Sequence, residues 1–376
     1  MRRPLSIFHC DFRLSWAGGQ NQLWLLANGL RERGHRQWIV TRPGSELARR
    51  AREAGLDVIG HPYRGEVDPR GYWSLRRWIA RHRPEVVHAH DAHSLMPLAV
   101  AARLVRPRPA VVGHRRVDFP IRDHALSRWK YSHGPDRLIA ISQRVREVLV
   151  EGGVPASRIA LIPSGVALET PPAPAGPPLR ERIGAPARAP VVLTIASLAD
   201  YKDHPTLVEA AARLAPREPM TGWAVCGAGG LLEPIRAEVQ RRGLAGRLRY
   251  LGFVPGARGL LPQADVFCLS SKTEGLGTSV LDAMAAGVPV AATAGGGIPE
   301  MIEHQVTGLL APVGDGAALA AAVDRLLDDR ALARRLANAA RVRVREFASQ
   351  RTIERTESLY RELAVGTSTS RLEPVA

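Results

Sequence analysis

Between Asp265 and Thr293 the chain spells two short apolar runs joined by a glycine loop and a helix. Asp265 to Leu269 has the length and composition of a buried strand. Thr273-Glu274-Gly275-Leu276-Gly277 follows, and Gly275 and Gly277 allow a tight loop with little side chain. Thr278 or Ser279 is placed to cap the next helix, on which Val280, Leu281 and Met284 form an apolar face. Gly287 is its stop, and Pro289 opens a second strand, Pro289 to Thr293.

The same alternation runs through both halves of the chain. In the first half, strands are predicted over Leu5 to Cys10, Gln37 to Thr41, Asp57 to Gly60, Ala110 to Gly113, Arg137 to Ser142 and Ile159 to Pro163. Helices are predicted over Gln20 to Arg33, Ser45 to Ala54, Tyr72 to His82 and Gln143 to Glu151. A Pro- and Ala-rich stretch, 169–190, reads as a linker with a short helix near Leu179 to Ile183. Strands then recur at Val191 to Ala196, Trp223 to Cys226 and Leu248 to Phe253, with helices at His204 to Leu214 and Leu231 to Arg242. Strands alternating with helices twice over imply two doubly wound α/β domains. The expected bounds are 1–168 for the first domain, with helix 350–364 returning to it, and 191–349 for the second. Residues 365–376 are expected as a loose tail.

A chain of 376 residues is long enough for two such cores. No apolar run reaches the roughly 18 residues of a membrane-spanning helix. Met1-Arg2-Arg3 leads straight into a strand without an apolar signal core, so a cytoplasmic location is expected, with peripheral attachment to the inner face of the membrane as an option. Cys10, Cys226 and Cys268 lie in separate apolar runs and have no metal-ligand spacing. The net charge is +16 and it is uneven: residues 1–175 hold 28 of the 52 Lys and Arg but only 15 of the 36 Asp and Glu. A nucleic acid, an anionic membrane surface, an anionic acceptor or a merely solvated basic face would each account for that. Aromatic residues are only 5% and no nucleic-acid motif is present, which argues against nucleic acid.

The chemistry concentrates where the pattern makes loops. The N-terminus of the helix after Gly277 offers unpaired N–H groups and a partial positive charge, which suit a phosphate. Glu274 and Asp282 flank it, and carboxylates hydrogen-bond well to vicinal hydroxyls. One on each side of a pyrophosphate could hold a sugar and a ribose, so the stretch suggests a nucleotide-sugar site. The same residues also fit a plainer pattern, a Ser279-x-x-Asp282 capping box beside a solvated Glu274. Gly18-Gly19 before the first long helix is a second possible anion site, or a place of tight packing. His88 and His90 alternate to one face, and His90 and Asp91 fall at a strand's carboxyl end, where open α/β sheets place ligands. No thiol or second carboxylate stands at ligand spacing, so no metal is expected there. His114-Arg115-Arg116-Val117-Asp118 ends another strand, with Asp118 a candidate acceptor contact. Gly227-Ala228-Gly229-Gly230 is a weak dinucleotide fingerprint. Trp73 and Trp78 read as core, with exposure of one of them as the alternative.

Glu274, seven residues, then Asp282-Ala283-Met284-Ala285-x-Gly287-x-Pro289-Val290 resembles the E-x7-E signature of retaining glycosyltransferases of the GT-B fold, and of family 4 in particular. Gly295-Gly296-Gly297-Ile298-Pro299-Glu300 and Thr307-Gly308-Leu309-Leu310 resemble the segments that follow it there, and the resemblance runs from about Leu5 to Leu363. It implies two Rossmann-like doubly wound domains facing an interdomain cleft. It also implies a UDP- or GDP-sugar donor, a glycan or lipid-linked hydroxyl acceptor, and a metal-independent front-face substitution without cofactor. By the resemblance, Gly18 and Gly19 face the donor phosphates, as do Lys202 and the N–H groups of Gly275, Leu276, Gly277, Thr278 and Ser279. Glu274 holds sugar hydroxyls, Asp282 the ribose, Val254 the base and His114 the far side of the sugar. Two positions depart from the family: Asp282 replaces its usual Glu, and Ser197 stands where its phosphate-binding Arg is expected. Arg115 or Arg116 could supply the lost cation, and His90, Asp91 and Asp118 are left as acceptor-side candidates. A sugar-nucleotide epimerase of the same fold, or a non-catalytic sugar-nucleotide or membrane-surface binding protein, are the competing readings.

Overall fold

The structure is a computed structural model that describes residues 3–369. It divides into two units, residues 3–165 with 349–369, and residues 166–348.

In the first unit β1 (Ser6–Asp11), α1 (Gly18–Glu32), β2 (Arg36–Thr41), α2 (Glu46–Glu53), β3 (Asp57–Gly60), α3 (Pro69–His82) and β4 (Val86–Ala89) alternate in order. They are followed by α4 (Ala92–Arg103), β5 (Ala110–Arg115), α5 (Ala125–Ser132), β6 (Arg137–Ala140), α6 (Gln143–Glu151) and β7 (Ile159–Leu161). The seven strands form one sheet in the order β3-β2-β1-β4-β5-β6-β7, with every pairing parallel. Parallel strands need crossover connections, which is why the short apolar runs alternate with helical segments. The order reverses between β1 and β4, so a ligand crevice is expected at their carboxyl ends.

The C-terminal helix (Ser349–Thr369) belongs to this unit. Its Ile353, Leu359, Tyr360 and Ala364 join Ile7, Leu30, Val112 and Ile139 in one core. Gly29 of α1 lets it come close, because a β-carbon there would collide with Ile353. The helix runs on through Thr369, so the first part of the expected tail is helical and the rest lies outside the described residues.

The second unit contains α7 (Leu179–Arg182), β8 (Val191–Ile195), α8 (His204–Leu214), β9 (Gly222–Cys226), α9 (Leu232–Arg241), β10 (Leu248–Tyr250) and β11 (Val266–Leu269). Then come α10 (Thr278–Ala286), β12 (Val290–Thr293), α11 (Ile298–Met301), β13 (Leu309–Ala311), α12 (Gly316–Asp328) and α13 (Arg330–Arg343). Its sheet runs β10-β9-β8-β11-β12-β13, again all parallel, and the order reverses between β8 and β11. Val192, Leu207, Trp223, Val225, Val323 and Leu336 are among the buried residues of its core.

Residues 169–190, expected as a linker, are built into this unit. Leu179 is fully buried and its N–H donates to Gln263 Oε1 at 2.7 Å. Arg180 pairs with Asp265 at 3.0 Å, and Asp265 also accepts from the Val191 N–H at 2.9 Å and pairs with Arg330 at 3.1 Å. A proline-rich composition here fixes an extended path over the surface rather than a free joint. Trp73 is 63% exposed and Trp78 half-buried, so the alternative in which one of the two indoles leaves the core is the one the fold adopts. The three cysteines are buried and unpaired. Among the described residues no helix is long and apolar enough to cross a membrane.

Candidate functional site

In the second unit the candidate residues gather at the carboxyl ends of β8 and β11. Lys202 closes a 3-10 turn after β8, and Glu274 sits on the loop after β11. The two form a close ion pair, with side chains only 12% and 8% exposed. Ser271 Oγ donates to Glu274 Oε1 at 2.8 Å. The two loops are stitched together by the Lys272 N–H to Tyr201 O bond at 2.9 Å and by Ser270 Oγ to Lys202 O at 3.0 Å. Gly297 N–H donates to Glu274 O at 2.8 Å, and a β-carbon on Gly297 would come within 2.6 Å of Gly275 O. Gly275, Leu276 and Gly277 are therefore held against a second glycine turn.

The start of α10 differs from the sequence expectation. Gly277 is the cap residue, at φ +86°, and no side chain caps the helix. Thr278 and Ser279 are instead its first two helical residues, and the Ser279-x-x-Asp282 capping box does not form. Only glycine reaches that backbone conformation cheaply, so the glycine takes the cap position from the hydroxyls. The result is a helix mouth without a side-chain acceptor of its own, which leaves its dipole and N–H groups for a ligand anion.

Asp282 turns to Arg258, with Oδ1 2.9 Å from Nε in a geometry that is an ion pair rather than an aligned hydrogen bond. Arg258 is anchored by the carbonyls of Ala167 and Glu169, the latter at 2.9 Å. Burial pushes the Asp282 carboxyl up to about 6, and Arg258 pulls it back only in part. Sequence reasoning missed Arg258 because it lies on a 3-10 segment with no motif of its own. Ser197 is exposed, and its hydroxyl is 3.5 Å from the Tyr201 hydroxyl. Val254 is half-buried after β10. Gly227 and Gly229 do not mark a phosphate loop by themselves. A β-carbon on either would strike the backbone of Ala196 or Leu198, so close packing of adjacent loops already requires both glycines.

In the first unit the crevice at β1 and β4 is lined by histidines. Gln37 Nε2 donates to Ala27 O at 3.0 Å, which turns Gln37 Oε1 toward His9 Nε2 at 2.9 Å. His9 Nε2 therefore carries a proton, and His9 Nδ1 accepts from His90 Nε2 at 3.0 Å. His90 Nδ1 is left buried without a partner, as is His88 Nε2, while His88 Nδ1 meets the Tyr360 hydroxyl. Burial holds His88, His90 and His114 well below the usual imidazole range, and His9 is lowered to about 4. His9, His88 and His90 bring ligand atoms within 4.8 Å of one another. The trio includes no anionic ligand to balance a metal's charge, and the Arg116 guanidinium adds positive potential at His88 and His90. A hydrogen-bonded polar network describes them better.

Asp91 is occupied structurally: Oδ1 accepts from Ser94 N–H at 2.6 Å, capping α4, and Oδ2 accepts from Phe12 N–H at 2.8 Å. Its assignment as an acceptor contact gives way to a helix cap that ties β1's loop to β4. Arg115 is occupied as well. Its guanidinium donates to Val117 O at 3.1 Å, Tyr131 Oη at 2.8 Å and Phe119 O at 2.5 Å. Arg116 is different. It reaches Ser164 Oγ at 3.4 Å and donates to His114 Nδ1 at 3.2 Å, which places the His114 proton on Nε2. Arg116 Nε and His114 Nε2 are buried and unpartnered. Gly19, at the start of α1, lies against the Arg116 side chain: a β-carbon on Gly19 would stand 3.5 Å from Arg116 Cδ. Burial lowers Arg116 to about 10, and Asp11 opposes that. Asp11, fully buried, accepts from Gln20 Nε2 at 2.9 Å and from Arg13 N–H at 3.0 Å. Burial first, then the Asp91 charge, pushes it up to about 7. Asp118 is buried as well.

Two all-parallel, doubly wound sheets, each with polar groups at its switch point, define a two-domain α/β protein built to hold substrates at strand ends. Solved structures share that fold over nearly the full length. Anabaena Alr3699/HepE, solved with UDP, superposes with a TM-score of 0.82 at 20% identity, covering 95% of this chain and 100% of that one. A sucrose-phosphate synthase from Thermosynechococcus elongatus gives 0.77 at 22% identity over 97% and 100%. The fold is GT-B.

Residues 16–170 match the model of Glycosyltransferase Family 4, and residues 177–343 that of Glycosyl transferases group 1. The GDP-mannose-dependent alpha-(1-6)-phosphatidylinositol monomannoside mannosyltransferase of Mycobacterium tuberculosis is 33% identical over 303 residues, 74% of this chain and 76% of the relative. The lipopolysaccharide core biosynthesis glycosyltransferase LpsE of Rhizobium meliloti is 27% identical over 351 residues, 87% and 90% of the two chains. The chain belongs to glycosyltransferase family 4, the glycosyl transferases of group 1, and is a glycosyltransferase.

Proposed function

We propose that the protein moves a sugar, with retention of anomeric configuration, from a UDP- or GDP-sugar to a hydroxyl of a glycan or lipid-linked acceptor. The observation that carries this is the mouth of α10, which no side chain caps and beside which Lys202 and Glu274 stand. The diphosphate lies at that mouth, where the helix N–H groups and Lys202 neutralise the charge that grows as it leaves. Glu274 accepts from sugar hydroxyls, and Asp282 shares the ribose hydroxyls with Arg258. In the transfer step the bond from the anomeric carbon to the phosphate oxygen breaks. The bond to the acceptor oxygen forms on the same face, and the acceptor proton passes to the departing phosphate oxygen. The helix mouth and Lys202 then supply the charge stabilisation that a metal ion gives elsewhere, and no cofactor enters the scheme.

On the first unit, Arg116, the start of α1 at Gly18 and Gly19, and the His114 Nε2–H form one anion site. It takes a substrate phosphate. Arg115, tied to carbonyls and a phenol, does not share this role. The relatives named above act on a phosphatidylinositol mannoside and in lipopolysaccharide core synthesis, which supports a cell-envelope acceptor carried by lipid. The basic first half of the chain suits an anionic membrane surface as the place where it works. Incubation with a panel of UDP- and GDP-sugars, with released nucleotide and the anomeric proton of the product followed by NMR, tests the reading. Retention supports it, and an inverted product or the absence of turnover on every donor would overturn it.

A further inference from the structure

We infer that His90 Nδ1 is the hydrogen-bond acceptor for a hydroxyl on the phosphate-bearing substrate, and that Gln37 and His9 are the positioning residues that keep it an acceptor. This role deepens, and rests on, the proposed anion site at Arg116. The register of β1 sets Ile7 beside Gln37 and Val86, and His9 beside His88. Alternate residues of a strand share a face, so Gln37, His9 and His88 lie on the side that α1 and the C-terminal helix cover. Their neighbours on that face are aliphatic: Ile7, Val86, Val112 and Ile139. An imidazole buried there costs stability relative to an aliphatic side chain unless its polar atoms find partners.

The chain of hydrogen bonds has a direction. The Ala27 carbonyl can only accept, so it takes a Gln37 amide N–H at 3.0 Å and turns Gln37 Oε1 to His9. That oxygen also can only accept, so His9 Nε2 donates to it at 2.9 Å and His9 Nδ1 keeps a lone pair. His90 Nε2 must then donate to His9 Nδ1 at 3.0 Å, which leaves a lone pair on Nδ1 of a neutral His90. Burial first, then the neighbouring imidazoles and the Arg116 guanidinium, oppose a second proton on that ring. Three links, from β2 through β1 to the residue after β4, thus fix the polarity of an atom that is buried without a partner among the described residues. A buried acceptor without a donor calls for a group from outside the chain. An internal water is the competing occupant. A substrate hydroxyl is favoured by what stands beside it. The centre of the His114 ring is 5.9 Å from that of His90, and the His114 Nε2–H is likewise buried and unpartnered. Arg116 holds the other nitrogen of His114 at 3.2 Å. One acceptor next to one donor and a guanidinium matches a phosphate ester with a nearby hydroxyl, the hydroxyl on His90 and the phosphate on His114 and Arg116. A phosphate without a hydroxyl meets only the second half, because its oxygens have no proton to give His90.

NMR titration of the full chain carrying isotope-labelled histidine tests this with two esters of equal carbon-chain length, propyl phosphate and glycerol phosphate, without sugar donor. Before ligand is added, His90 should show a protonated Nε2 and an unprotonated Nδ1 at neutral pH. Glycerol phosphate should bind roughly fivefold more tightly than propyl phosphate, the effect of about one neutral hydrogen bond. It should also move the His90 Nδ1 resonance, which propyl phosphate should leave in place. Gln37→Met keeps the bulk of the side chain but lets His9 take either tautomer. His90 should then lose its fixed proton on Nε2, and the preference between the esters should shrink to roughly twofold or less, while both still bind. Arg116→Ala should instead weaken both esters together, roughly tenfold or more, with the His90 tautomer unchanged. A wild-type His90 with its proton on Nδ1, or equal affinity for the two esters, would overturn the inference, the second result assigning Nδ1 to an internal water. So would an ester preference untouched in Gln37→Met. If that variant fails to fold, the wild-type tautomer and ester preference still decide. Propyl phosphate binding that depends on Arg116, with no gain from the hydroxyls, would sink the role of His90 and leave the anion site standing. Binding of neither ester would sink both.

Discussion

Lys202→Met and Glu274→Gln, made singly and together, separate the two things the pair does. Each side chain is almost buried, and each is the other's counter-charge. Removing one leaves a buried charge without its partner, which costs about 3–5 kcal/mol in general. Here the lower end applies, because Ser271 still donates to Glu274 and both groups keep some contact with water. About 3 kcal/mol in a unit of this size lowers the unfolding temperature by roughly 6–12 °C. The double variant removes both charges and keeps both shapes, so its loss should be about 1 kcal/mol or less. Stability is therefore expected to be strongly non-additive, while activity is not rescued. Transfer should fall roughly 100- to 1000-fold in each single variant and stay down in the double, because the leaving diphosphate has lost its cation in one and the sugar its hydroxyl acceptor in the other. Differential scanning fluorimetry without nucleotide gives the first readout and release of nucleotide from donor the second. If the double variant melts as far below wild type as the two singles summed, the pair is not coupled and the geometry of the site has been misread.

Gly277→Ala should cost about 1–2 kcal/mol, because alanine is strained at φ +86°, and should weaken nucleotide binding at the same time; both are read by melting with and without UDP or GDP. Arg116→Ala should raise the KM for the phosphate-bearing substrate with little change in unfolding temperature, whereas Arg115→Ala should lower the unfolding temperature, since it strips donors from three partners; the opposite pattern would exchange their roles. Asp11 gives a pH signature. Its folded value, near 7, lies above the unfolded value of about 3.9, so the native state holds the proton more tightly. Stability from this group is greatest below pH 4 and falls as pH rises through 7, and Asp11→Asn should flatten that slope in melting curves taken between pH 5 and 8.

Much of the scaffold is legible along the chain, because parallel strands buried on both faces read as short apolar runs between glycine stops. The exceptions have physical causes. α4 is buried almost all round and contains Pro97, so it has neither a polar stripe nor an unbroken helical run to reveal it. α5 sits in a polar stretch with no strand-like run of its own. Ser279 and Asp282 have the spacing of a capping box, but Asp282 answers to Arg258 on a neighbouring segment, and no local pattern carries that information. The same is true at Asp91. Its place at a strand end is visible, yet its role is set by Phe12, brought alongside by the pairing of β1 with β4. Arg115 and Arg116 are indistinguishable as neighbours in sequence. They part only because a strand sends alternate side chains to opposite faces, one toward Tyr131 and the other toward His114 and Gly19.

Calorimetric titration of the full chain with UDP, GDP, uridine and guanosine addresses the helix mouth most directly. Two charge-assisted contacts to a diphosphate are worth roughly 100-fold or more in affinity, so one of the diphosphates should bind and its nucleoside should bind at least that much more weakly. Lys202→Met should close most of that gap. A nucleoside that binds as tightly as its diphosphate, or a gap unchanged in the Lys202 variant, would contradict the placement of the diphosphate at the start of α10.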